Sequence, residues 1–320
     1  MAEPRRRTTT VAREDYPRTA PGPGSDPARV FEAYENEGHA DPGAAWASFT
    51  TDWNWAATLP HAVAESGPDS PPVARPVPGG YSLSGRWHLP GDTEVGRWLA
   101  LPLAGPGGAA REDATVIRPD RPDVFVIASK VLPRPTDAGL HAVRFPADSD
   151  ARFRLDGVHV PAGFAAHSSG AALPTQDIGF LWTAVAGMAL GAASRLADEL
   201  AVLGPRVAPP FFSPAATAAE LSALLRQERL GFTAEPYNRP GLGRLISLAA
   251  RESLADRVRR AAMLVHHVVT AAYEKAIPFP AKDGQHPLES LVVDSAAVLQ
   301  HLRFTVDLLL IEDVGSATGT

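Results

Sequence analysis

No cysteine occurs anywhere in the chain, which removes disulfides, thiolate nucleophiles and cysteine-ligated zinc, and is in keeping with a reducing cytoplasmic setting. Lysine is nearly missing as well. Lys130, Lys275 and Lys282 are three of 30 basic residues, an arginine bias that reads as a GC-rich coding genome before it reads as function. The net charge of −6 gives no broad cationic field of the kind that neutralises a phosphate backbone, so nucleic acid is not expected as a partner. The most apolar stretch, residues 180–193, falls short of the roughly 20 residues of a bilayer span, and no membrane span is expected. Arg5, Arg6 and Arg7 are followed by polar residues rather than an apolar targeting core. No metal is expected either: His266 and His267 are neighbours on one helix, about 100° apart around its axis, and cannot chelate one ion as an i, i+4 pair would.

Proline and glycine, by contrast, are plentiful at 31 and 27, and they gather in the first half. Residues 1–25 carry arginines, threonines and the run Pro21-Gly22-Pro23-Gly24 and are expected to form a disordered tail. Residues 26–65 predict two short helices, because Asp26-Pro27 and Asp41-Pro42 each place a capping carboxylate before a proline suited to a first helical turn. Residues 66–170 shorten the period to that of strands, at 73–77, 81–87, 97–103, 123–128, 140–145 and 153–160, with Pro78-Gly79-Gly80 as a hairpin turn. Strands returning without intervening helices predict an antiparallel β-barrel or sandwich. Residues 171–313 return to helical spacing, with helices expected at 175–203, 214–229, 245–276 and 287–311, a break at Gly231, and a short tail at 314–320. The fold class expected is therefore α+β: short N-terminal helices, an antiparallel β-barrel middle domain and a C-terminal four-helix bundle.

Four segments in order carry a family resemblance. Gly79-Gly80-Tyr81-Ser82-Leu83-Ser84-Gly85-Arg86-Trp87 resembles the strand pair that opens the middle domain of acyl-CoA dehydrogenases and flavin-dependent monooxygenases. Phe153-Arg154-Leu155-Asp156-Gly157-Val158-His159-Val160-Pro161 resembles the strand that closes the family's barrel, and Ala186 to Ala193 resembles the small-residue start of its first C-terminal helix. Pro287-Leu288-Glu289 with Asp294 to His301 resembles the last long helix of the monooxygenase branch.

The resemblance implies a flavin, FAD or FMN, between barrel and bundle, a small-molecule substrate, and, for the monooxygenase branch, a separate flavin reductase. It also implies an oligomer, either a homo-oligomer or a hetero-oligomer with a paralogue, with the small-residue face at 186–193 needing a close partner helix. His301 matches the position of a histidine that positions the flavin hydroperoxide, and His88 joins it as a candidate for proton transfer. Trp87, Arg86 and Asp92 are the candidate cofactor contacts. The turn His88-Leu89-Pro90-Gly91-Asp92 departs from the family's Ser- and Gly-containing turn, and Pro90 lacks the amide a flavin would use, so weak or lost flavin binding is expected. Glu274 and Glu289 lie in the region of the dehydrogenases' catalytic glutamate but in neither motif.

Trp46, Trp53, Trp55 and Trp182 read either as walls of a flat aromatic pocket or as core. Three functions compete on these residues. The first is a flavin-dependent oxidoreductase closer to two-component monooxygenases. The second is a non-flavin relative serving as partner or scaffold subunit of a full-length paralogue, and the third a non-redox cyclase or lyase using the same cleft.

Overall fold

The computed structural model describes residues 20–65, 71–90, 97–104, 121–132, 151–203, 213–234, 248–279 and 284–309. Helices α1 (Pro27–Ala40) and α2 (Pro42–Asp52) begin as their sequences dictate: Asp26 accepts from the amides of Ala28 (2.8 Å) and Arg29 (3.4 Å), and Asp41 from that of Ala44 (2.9 Å). The strands follow as β1 (Trp53–Asn54), β2 (Val63–Ala64), β3 (Val73–Val77), β4 (Gly80–Leu89), β5 (Trp98–Pro102), β6 (Val124–Ala128), β7 (Ala151–Pro161), β8 (Ala165–Ala166) and β9 (Ala171–Ala172). Helices α3 (Ile178–Val202), α4 (Pro214–Thr233), α5 (Leu248–Ala276) and α6 (Glu289–Leu309) complete the chain.

The strands form two principal sheets rather than a closed barrel among the described residues. In the first, β4 is the spine: β3 and β2 pair antiparallel along one edge and β7 along the other. The second runs β5-β6-β8, all antiparallel. Residues 60–64 couple them, because the Ala62 amide donates to Ala100 O (3.0 Å) and the Ala100 amide to Pro60 O (2.8 Å) before the same segment enters β2. The fully buried Trp87 adds a second tie, its indole N–H donating to Pro102 O across the gap at 2.8 Å. The strand expected at 140–145 lies outside the described residues. The hairpin turn forms as expected, with Gly79 at φ 77°, where an L side chain would be strained.

The bundle is organised around α3, whose residues 178–193 are all buried. It is the one helix among the described residues long and apolar enough to cross a membrane, and its apolar surface is covered by α1, α4, α5 and α6. The close partner helix that the small-residue face calls for is α1 of the same chain. A Cβ on Gly191 would lie 2.1 Å from Glu35 O, one on Gly187 2.6 Å from Phe31 O, and one on Gly38 2.2 Å from Met188 O, so the two backbones are in direct contact. Nor does Gly231 break α4. The helix continues because Phe232 stacks on Phe31 of α1 (4.9 Å, 9°) and Arg229 reaches Glu35 (2.7 Å) and Glu32 (3.4 Å), contacts that outweigh the roughly 1 kcal/mol glycine penalty.

Gly191→Ala would add about 1 kcal/mol of helix propensity on an open surface, whereas backbone overlap of this kind destabilises by about 1–3 kcal/mol or more. The variant is expected to unfold several degrees below wild type in a thermal melt. An unchanged or raised midpoint would mean that α1 does not lie on α3.

Candidate functional site

The 3-10 turn that follows β7, Ala162–Phe164, is pressed against α6. Gly163 makes that approach possible: a Cβ there would sit 2.3 Å from Ala297 O and 2.8 Å from the His301 amide nitrogen. Its backbone is held at both polar groups, the amide donating to Gln300 Oε1 (3.1 Å) and the carbonyl accepting from His301 Nδ1 (2.9 Å). A carbonyl oxygen only accepts, so Nδ1 carries the proton and Nε2 presents a lone pair. His301 is fully buried, and Nε2 has no hydrogen-bond partner among the described residues. Two indoles wall the ring, Trp46 of α2 at 4.7 Å and Trp55 at 4.5 Å, the latter edge-on.

Burial lowers the His301 pKa from 6.5 to about 4, with the bond to Gly163 acting in the opposite sense. The imidazole is therefore neutral at physiological pH, an acceptor rather than a cation. One turn further along α6, Thr305 is buried with Oγ1 unpartnered, while its carbonyl accepts from the Trp182 indole at 3.4 Å. The indole nitrogens of Trp55 and Trp98 are likewise buried without partners among the described residues. Trp98, on β5, stacks on Phe164 (5.5 Å) and meets Phe304 of α6 edge-on (6.2 Å), so the junction of β5, the 3-10 turn and α6 holds unmatched polar atoms inside an aromatic wall. Each such group destabilises the protein by about 1–3 kcal/mol while unmatched.

The remaining candidates lie elsewhere. Along β4 the burial alternates, placing Trp87 inward and Arg86 and His88 outward. His88 stands opposite Val63 and Arg152, away from His301's contacts. Trp87 stacks on Phe153 (6.2 Å) in the sheet core with its N–H already used. Asp92 lies outside the described residues. Glu274 and Glu289 are exposed on α5 and α6, as are His266 and His267, and no metal-binding cluster occurs among the described residues. Trp46, Trp55 and Trp182 are core residues, and two of them are also walls of the His301 enclosure. Gly163, Trp98 and Thr305 escaped the sequence reading. Nothing in their local pattern distinguishes them from loop, strand and helix residues, because their role exists only where β5, the turn and α6 meet.

No family model matches the chain, and no curated protein matches it in sequence. Among solved structures it is similar to 3-HSA hydroxylase from Rhodococcus sp. RHA1 (16% identity, 91% of this chain and 82% of that one, TM-score 0.41). It is also similar to XiaF from Streptomyces sp. in complex with FADH2 and glycerol (14%, 91% and 82%, TM-score 0.37) and to PigA with FAD and proline (13%, 90% and 81%, TM-score 0.39).

Trp87 and Arg86 face opposite sides of one sheet, so their side chains do not meet on one face of a ring. The unmatched donors Trp55 Nε1, Trp98 Nε1 and Thr305 Oγ1 have the chemistry that acceptors along a ring edge would use.

Because His301 titrates at about 4 in the fold and at 6.5 when unfolded, the unfolded chain binds more protons between those values, and stability falls as pH falls through that window. The stability difference between wild type and His301→Gln should be constant above pH 6.5 and change by up to about 3 kcal/mol, against wild type, on descending to pH 4. Denaturant melts across that range measure it. A flat difference would mean that His301 is not held neutral and buried.

Proposed function

We propose that this chain is a flavin-dependent oxidoreductase of the acyl-CoA dehydrogenase-like superfamily, closer to the two-component monooxygenases than to the dehydrogenases, acting on a small aromatic metabolite. The observation that carries the reading is the His301 imidazole, fixed by Gly163 with its Nε2 lone pair directed away from the protein's own hydrogen bonds inside an aromatic wall. A neutral imidazole so held can accept a proton from a substrate hydroxyl or hold it by hydrogen bond. A bound reduced flavin would supply the electrons and the oxygen activation, and the donors of Trp55, Trp98 and Thr305 are the groups that would hold it. The exposed positions of Glu274 and Glu289 favour the oxygenase side, since neither carboxylate reaches the enclosure to act as a dehydrogenase base.

A second reading has its own support. Trp46 and Trp55 already pack on His301, and Trp87 is committed to the sheet core, as expected of a relative that has given up flavin and partners a full-length paralogue.

Titration with FAD, FMN and their reduced forms separates the two. Binding of a reduced flavin, weakened about tenfold or more in Trp98→Phe, which keeps the ring and removes the N–H, is the expected result. No binding of any flavin form would overturn the oxidoreductase reading and favour the partner-subunit one.

A further inference from the structure

The outward face of the first sheet carries a charge arrangement that the fold itself does not need. Arg86 of β4 stands directly opposite Arg154 of β7, and in the next outward row His88 stands opposite Arg152. At the other end Arg75 of β3 pairs with Ser82, which pairs in turn with His159. All four arginines are exposed. Like charges directly opposite in an antiparallel pair oppose strand pairing, so the Arg86–Arg154 pair works against the sheet that displays it. Two carboxylates share the face. Glu65 takes Arg152 at 3.3 Å and Asp156 lies two residues beyond Arg154, but among the described residues no carboxylate forms an ion pair with Arg86, Arg154 or Arg75. In a chain of net charge −6 this is a local excess of positive charge built from donors.

Size chooses the occupant. Three strands about 4.8 Å apart and rows about 7 Å apart along them make a surface roughly 10 Å by 20 Å. That is about a quarter of the roughly 800 Å² per partner of a stable protein interface. A protein surface is too large for it, and a single carboxylate leaves one fork unmatched. The register sets the backbones of Arg86 and Arg154 about 5 Å apart on one face, so both guanidinium groups can reach a single anion with two adjacent multiply charged centres. We propose that the outward face of β3, β4 and β7 binds a pyrophosphate-bearing small molecule, gripped by Arg86 and Arg154 with Arg75 and Arg152 alongside. The site is independent of the flavin reading at His301, because Arg86 and Trp87 lie on opposite sides of the sheet.

The probe is inorganic pyrophosphate, titrated into the full chain at about 0.15 M salt, where exposed charges are screened beyond about 8 Å. Amide and arginine side-chain NMR signals report the site. Saturable binding that moves signals of Ser82, Arg86 and Arg154, and that weakens at least about tenfold in Arg86→Gln/Arg154→Gln, is the expected result. Arg86→Gln alone should leave the thermal midpoint unchanged or raise it, since it removes a repulsion. The proposal is overturned by non-saturable binding, by equal affinity in the double variant, by tighter binding of an acidic peptide than of pyrophosphate, or by a lowered midpoint in Arg86→Gln, which would make that arginine structural.

Discussion

Direct contact between the backbones of α1 and α3 governs the rest of this molecule. Gly38, Gly187 and Gly191 leave no side chain between the helices, so carbonyls and amides meet where methyl groups would ordinarily stand. Once α1 is seated, its C-terminal end is pinned by polar contacts of ordinary strength: Arg195 donates to Ala40 O, and His39 meets Asp198 at 2.9 Å. Exposed pairs of this kind contribute little by themselves, so they orient α1 rather than hold it. Its position then fixes α2, since Asp41 is both the end of one helix and the cap of the next. Trp46 and Phe49 are thereby delivered to the interior, Trp46 against His301 and Phe49 against Phe180.

The enclosure of His301 is the second consequence of close backbone approach. Gly163 lets the turn after β7 touch α6, and the touch is made specific by two hydrogen bonds of opposite sense to adjacent residues, Gln300 and His301. The backbone of one residue thus joins the β region to the bundle, and its carbonyl selects the imidazole tautomer. The enclosure around it is apolar in bulk and polar at isolated points, a combination that disfavours the folded state unless a ligand or water meets those points. The unmatched donors and the lone pair lie on β5, α6 and the segment after α2.

The sheet separates two chemistries by the alternation of its strands. Adjacent residues Arg86 and Trp87 belong to different worlds, one among exposed arginines and the other in the core, and no rotation of either side chain exchanges them. Residues adjacent in sequence are thus drawn from opposite faces, and those that share a face come from β3, β4 and β7, whose partners lie up to about 80 residues apart in sequence.

Local chemistry by itself determined the helix caps at Asp26 and Asp41, the hairpin at Pro78-Gly79, the change from strand to helix spacing near residue 175 and the helical placement of His301. These depend on neighbours within a few residues, and capping, turn conformation and hydrophobic period are all local quantities. Tertiary structure alone decided the rest. The glycine stripe of α3 signalled a close partner but not which one, because a helix face carries no record of whether the backbone that covers it belongs to the same chain. Gly231 read as a break until Phe31 and Glu35 arrived from almost two hundred residues away to hold the helix through it. Trp87 and Arg86 read as a pair until the pleat set them on opposite faces. His301 was legible as a candidate, but its neutral state and free Nε2 follow from burial and from Gly163, which comes to it across 138 residues of chain.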